Sequence, residues 1–167
     1  MKKLTVVLIL VFCFVFTSCG ESPKTPQLAE GETLVNHLIV TLPEGMTLRN
    51  TGGVKVACFE NYPEKADNIS FVTGVKDLPE NYTKEKLDQM FSSLVAGFSG
   101  GISLDSATIS DCEVLIYTYS LVLDEKAFTG QQYLIFGDDF TDIATVTISD
   151  TALLESIQKM ITTARIA

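Results

Sequence analysis

The sequence reads as an α+β domain, a mainly antiparallel β-sheet flanked by helices. Three observations support this. Apolar residues alternate with period two through most of the chain, and they switch to helical spacing twice. The connections between the late β-rich runs are too short for parallel crossovers, which need a dozen or more residues.

The elements follow in order. Leu38 to Leu42 form a first strand, and Pro43-Glu44-Gly45 turns the chain. Val54 to Phe59 and Ile69 to Thr73 are β-rich runs joined by the turn-rich segment ENYPEKADN, which predicts a hairpin with a long loop. Leu87, Met90, Phe91, Leu94, Val95 and Phe98 then recur at helical spacing, with Lys84, Glu85 and Asp88 on the wet side. Thr83 is placed to cap this helix, Tyr82 to pack on Leu87, and Gly97, Gly100 and Gly101 to end it. A strand-rich block follows: SLDSATIS, CEVLIYTYSLV, QQYLIFG and FTDIATVTI, punctuated at Ser110-Asp111, Asp124-Glu125 and Gly137-Asp138-Asp139. The chain closes on an amphipathic helix whose stripe is Leu153, Ile157, Met160, Ile161 and Ala164, capped by Asp150 or Thr151. The expected order is β-β-β-α-β-β-β-β-α.

Ahead of this domain lies a different kind of sequence. Lys2 and Lys3 precede an apolar run from Leu4 to Thr17, roughly fourteen residues against the ~20 that a spanning helix needs. Small residues then lead directly into a cysteine at Thr17-Ser18-Cys19, as in bacterial lipoprotein signals. The reading is a lipoprotein signal peptide over 1–18, then an acylated Cys19 and a flexible tether over 19–33. Two prolines, two glycines and three glutamates lie in residues 20–33, a stretch that reaches at most about 46 Å. The remaining residues, 34–167, suit a single domain.

Charge narrows the partners. The chain carries 12 basic and 21 acidic residues, a net charge of −9, and removing the leader takes two lysines with it. That balance argues against nucleic acid, whose binding depends on neutralising phosphates, and against docking on anionic lipid by charge. Acyl chains, at about 0.8 kcal/mol per buried CH₂, would have to do the anchoring.

At the domain level the chain resembles a known fold family. The "TLPEGM" turn after the first strand, the long meander ending "ATVTISD" and its join to the helix TALLESI resemble the PsbP-like sandwich. That fold is seen in the PsbP extrinsic subunit of photosystem II, in a Ran-binding nuclear-import factor, and in bacterial envelope lipoproteins such as LpqN and DcrB. The resemblance covers residues 34–167 and rests on element order. It implies a binding or scaffolding module and no common reaction, and it assigns no functional residue to this chain.

The candidates for chemistry are few. Gly97-Phe98-Ser99-Gly100-Gly101 satisfies G-x-S-x-G, yet it leaves a helix and enters a strand, the reverse of the hydrolase context. The single histidine, His37, lies upstream of Ser99, where that fold would place its base downstream. His37 reads as a strand or edge residue. Asp138-Asp139, with Asp142 nearby, reads as a hairpin turn, since the spacing misses the D-x-D-x-D-G calcium loop. No C-x-x-C or H-x-x-x-H places metal ligands together, and no metal or cofactor is expected. Cys58 and Cys112 are expected as buried thiols, with a disulfide as the alternative. Tyr117, Tyr119 and Tyr133 are expected in core or cross-strand packing rather than on a stacking surface.

The expectation is therefore a non-enzymatic cell-envelope lipoprotein. It would be a binding or accessory module anchored through Cys19 to the cell or outer membrane, facing outside the cytoplasm, with an envelope protein as partner. A carrier or sensor of a small apolar or sugar ligand is the alternative, and a hydrolase using Ser99 is the third.

Overall fold

The computed structural model describes residues 26–94, Phe98 and 101–167. The leader, Cys19, the first part of the tether, Val95, Gly97, Ser99 and Gly100 lie outside the described residues.

Ten strands and two α-helices are described, with a 3-10 turn at Pro79–Asn81: β1 (Thr33–Val35), β2 (Leu38–Val40), β3 (Thr47–Thr51), β4 (Val54–Cys58), β5 (Asn68–Val75), α1 (Lys84–Leu94), β6 (Ser103–Ile109), β7 (Cys112–Leu123), β8 (Lys126–Phe136), β9 (Phe140–Ile148), α2 (Thr151–Thr162) and β10 (Arg165–Ile166). Seven strands form one sheet in the order β3-β4-β5-β9-β8-β7-β6, every neighbouring pair antiparallel. A small second sheet, β1-β2-β10, brings the N-terminal and C-terminal segments of the domain together. The fold is α+β, a mainly antiparallel sheet flanked by helices, as the sequence predicts.

Alternation along the central strands sets the layers. In β8, Tyr133 and Ile135 join a cluster with Val35, Leu38, Ile157 and Ile161, beneath the small sheet and α2. Leu134 and Phe136 point the other way, into a cluster with Leu87 and Phe91 of α1, Tyr117, Tyr119 and Leu121. Burial of a large apolar side chain contributes ~1.5–3 kcal/mol, so each face needs its own cover.

Local chemistry fixes the joins. The Asp150 carboxylate accepts from the backbone N–H of Ala152 at 2.9 Å and caps α2. Buried Asp67, in the loop between β4 and β5, accepts from Ser149 N at 2.6 Å and Ser149 Oγ at 2.9 Å, which ties that loop to the β9–α2 junction. Thr83 caps α1, its hydroxyl accepting from Lys86 N at 3.4 Å. Gly130 faces Tyr119 across the β7–β8 pair, and any Cβ there would overlap the Tyr119 ring.

The structure corrects several expectations. The mid-chain helix does not carry Phe98, which instead makes an isolated bridge to Leu121 of β7. Met90 is on the outward side of α1, 39% exposed, so Leu87 and Phe91 are the buried contacts described on that helix. The first strand ends at Val40, and β1 begins at Thr33, inside the segment read as tether. Five strands precede α1 rather than three, because β1 and β3 were not expected, and β10 follows α2.

Phe91→Ala should lower the unfolding free energy by about 3–5 kcal/mol in urea titration, the usual cost of emptying a buried phenylalanine site. Gly130→Ala should cost about 1–3 kcal/mol by overpacking. In a Tyr119→Ala background the added methyl should cost far less, and equal costs in both backgrounds would show that the ring is not the obstacle.

Candidate functional site

The one histidine does not sit at a strand edge as expected. It occupies the β1–β2 turn, where Asn36 holds the left-handed conformation at φ 57°. From there His37 reaches the large sheet. Buried Asp142 of β9 accepts from His37 N at 3.0 Å, and its Oδ1 lies 3.1 Å from His37 Nδ1. The ring stacks on Phe140 with centroids 3.8 Å apart, and His37 O accepts from the backbone N–H of Ala167 at 2.8 Å.

This arrangement is a fastening. Thr73 donates to Asp142 Oδ1 at 2.6 Å, the oxygen that also faces the imidazole, so that hydroxyl bonds to the buried carboxylate rather than to the imidazole. Asp142, weighed from sequence as a neighbour of a possible ion site at Asp138-Asp139, is thus already engaged by two residues, His37 of the β1–β2 turn and Thr73 of β5. Among the described residues, no group of three His, Cys, Asp or Glu side chains is placed to hold a metal. Cys58 and Cys112 are free and buried. Burial raises the Cys112 thiol above its ordinary pKa, and the nearby Asp138, Asp111 and Asp142 add to the effect, which keeps it protonated and unreactive at neutral pH.

The three late tyrosines are core residues. Burial pushes the Tyr119 and Tyr133 hydroxyls up to about 12 and raises Tyr117 too. Tyr133 and Tyr119 face opposite sides of the sheet. Tyr133 Oη donates to Gln131 Oε1 at 2.7 Å beneath α2, where Gln158 Nε2 also donates to Gln131 at 3.2 Å. Tyr119 packs on Phe91 with centroids 4.6 Å apart beneath α1. Tyr117 is fully buried beside Phe91, and its hydroxyl has no hydrogen-bond partner among the described residues.

The remaining feature is at the end of the large sheet. An open hollow of about 550 Å³ is lined by Leu104, Asp105 and Ser106 of β6 and by Glu113 and Leu115 of β7. Leu115 is a buried member of the α1-side cluster and Leu104 packs against it half-buried, while Asp105 and Glu113 add negative charge to the hollow's lining. Sequence reading passed over these residues because each is an ordinary strand residue; only the β6–β7 register brings them together.

No family model matches the chain, and no curated relative does. Solved structures do. The PsbP protein of the cyanobacterium Synechocystis (CyanoP) superposes with a TM-score of 0.63 over 89% of this chain and 98% of its own, at 8% identity. LpqN of Mycobacterium tuberculosis, described as involved in cell envelope biogenesis, superposes with a TM-score of 0.54 over 78% of this chain and 83% of its own, at 13% identity. At such identities the likeness is one of fold, and it gives this chain the PsbP-like architecture.

Tyr117→Phe should leave stability unchanged or raise it by up to ~1 kcal/mol, because it deletes a buried hydroxyl that bonds to nothing described. Tyr133→Phe removes a made hydrogen bond and should cost about 1–2 kcal/mol. Chemical denaturation of both variants separates the two cases, and a loss at Tyr117 equal to that at Tyr133 would reveal a partner for its hydroxyl.

Proposed function

We propose that this chain is a cell-envelope lipoprotein, a non-catalytic binding or accessory module held to the membrane by acyl chains on Cys19 and facing outside the cytoplasm. One observation carries the reading. A positively charged start, an apolar run and the Ser18-Cys19 junction stand ahead of a fold whose first strand begins at Thr33. Among the described residues no helix is long and apolar enough to cross a membrane. The apolar run Leu4 to Thr17 is short for a span and leads directly into Cys19, the junction at which acyl chains would attach. The fold it shares with LpqN, whose description places it in envelope biogenesis, supports the same setting.

The non-catalytic reading rests on how the reactive groups are used. The only histidine is bound to Asp142 and stacked on Phe140, and it lies far along the chain from Ser99.

Cys19→Ser should abolish acyl attachment and move the protein from the membrane fraction to an uncleaved precursor or a released soluble form. Mass spectrometry of the native protein is the check, and a mature N-terminus elsewhere, without lipid, would sink the anchor. A fluorophosphonate probe should label wild-type and Ser99→Ala proteins equally, at background. Labelling that depends on Ser99 would replace this reading with a hydrolase.

A further inference from the structure

The two edges of the seven-stranded sheet are not alike. At one end β3 is short, five residues, and Arg49 folds back so that its guanidinium donates to Glu60 O at 3.1 Å and Phe59 O at 3.4 Å. At the other end β6 runs for seven residues, Ser103–Ile109, with no proline, lysine or arginine in it. Natural edges are usually blunted by brevity, lysine, proline, bulges or a covering element. β6 has an unbroken one-to-one register with β7, and Ser103, Asp105, Ser106 and Thr108 are exposed.

The register also identifies which backbone groups of β6 have no strand partner among the described residues. Ile109 and Cys112 close a two-residue turn, so they exchange hydrogen bonds with each other, and the pairs alternate from there. Ala107, Asp105 and Ser103 therefore direct their N–H and C=O groups at β7. Those of Thr108, Ser106 and Leu104 point outward. The side chains of these same three residues lie on the α1 face, where Leu104 and Ser106 line the hollow with Leu115 and Glu113.

A strand laid against β6 would thus meet outward backbone groups on three alternate residues and, beside them, an apolar floor with an acidic rim. From Gly101 to Glu125 the chain has no lysine or arginine and carries Asp105, Asp111, Glu113, Asp124 and Glu125. Lys84 of α1, which lies beside Gly101, is paired with Asp88 at 2.7 Å. We infer that the outer edge of β6 receives, by strand addition, an extended segment of a partner protein with alternating basic and apolar residues, one apolar side chain seated between Leu104 and Leu115. Backbone pairing supplies the affinity in such docking and the side-chain hollow the selectivity. Asp105 and Glu113 repel acidic strands, including the β6 edge of a second copy, so the charge that invites a basic partner also disfavours edge-to-edge pairing of two β6 strands.

The inference rests on the binding-module reading and names its surface. The test uses the acylated full chain in detergent, titrated calorimetrically with an alternating lysine–valine heptapeptide and its glutamate–valine counterpart. The lysine peptide should bind and the glutamate peptide should not. Ser106→Pro removes an outward N–H that the fold does not use, so its melting temperature should stay close to wild type while peptide affinity falls about tenfold or more. Glu113→Lys should weaken the lysine peptide and leave the fold intact. Absence of lysine-peptide binding, equal binding of both peptides, or binding unchanged by Ser106→Pro would overturn the inference. A concentration-dependent dimer abolished by Ser106→Pro would overturn it as well, by making a second copy the occupant. Benzophenone crosslinking in native membranes separates the two readings. A partner adduct formed from Thr51 on β3 but not from Thr108 on β6 would overturn the edge assignment and leave the accessory-module reading standing.

Discussion

A sheet buried on both faces is the constraint from which the rest of this structure follows. From Gly130 to Phe136 every residue of β8 is buried, and its neighbours β7 and β9 send large side chains to both sides. Each face must then be roofed, and the chain uses different materials for the two roofs. On one side α2 and the small β1-β2-β10 sheet cover Tyr133, Ile135 and Val146. On the other, α1 contributes Leu87 and Phe91 to a cluster whose floor is largely aromatic. On that side the rings of Tyr117 and Tyr119 pack against Phe91 and supply much of the cluster's apolar surface.

The small sheet is held by polar bonds as well as by packing. His37 projects from the β1–β2 turn onto Asp142, while Ala167 N bonds to His37 O and Arg165 Nη2 lies 2.6 Å from Glu32 Oε2. A buried carboxylate with a single partner would be costly, and Asp142 avoids this by accepting from a backbone N–H, an imidazole and a hydroxyl together. The Arg165–Glu32 pair is more exposed and adds little stability by comparison. Thus the stretch leading in from the proposed anchor and the last residues of the chain meet on the same roof.

Much of this was legible in the sequence, for physical reasons. The late strands carry long apolar runs with tight turns between them, and helix α2 shows a clean stripe beneath an aspartate cap, so pattern and structure agree there. Strand β3, TLRNT, has almost no buried side chain and therefore no alternation to read. Its signal was the Gly52-Gly53 pair, a two-residue hairpin turn with both residues at positive φ, which sets the register of Thr51 against Val54. β1 and β10 are too short to show a period, and only pairing with β2 defines them. The helical stripe through Phe98 misled because an aromatic residue just beyond a helix can serve the same apolar cluster from a strand bridge.

Site residues were harder to read than elements because their meaning lies in juxtaposition. In the sequence Asp142 stands out only as a neighbour of the turn acids Asp138 and Asp139, yet its position in β9 points it into the interior, where it meets a histidine 105 residues away in sequence. Similarly, nothing in SLDSATI distinguishes it from a central strand, since a free edge is a property of the sheet order. What the sequence did carry was the bias in charge: no cation appears between Gly101 and Glu125, a stretch spanning β6 and β7. Placed at the sheet's open end, that bias becomes directional. The opposite end carries Arg49 and Lys55 on β3 and β4, so the large sheet is electrostatically polarised from edge to edge. A sheet with both faces roofed leaves its backbone hydrogen-bonding groups open only along its edges, and the two edges of this one differ in the sign of the charge they carry.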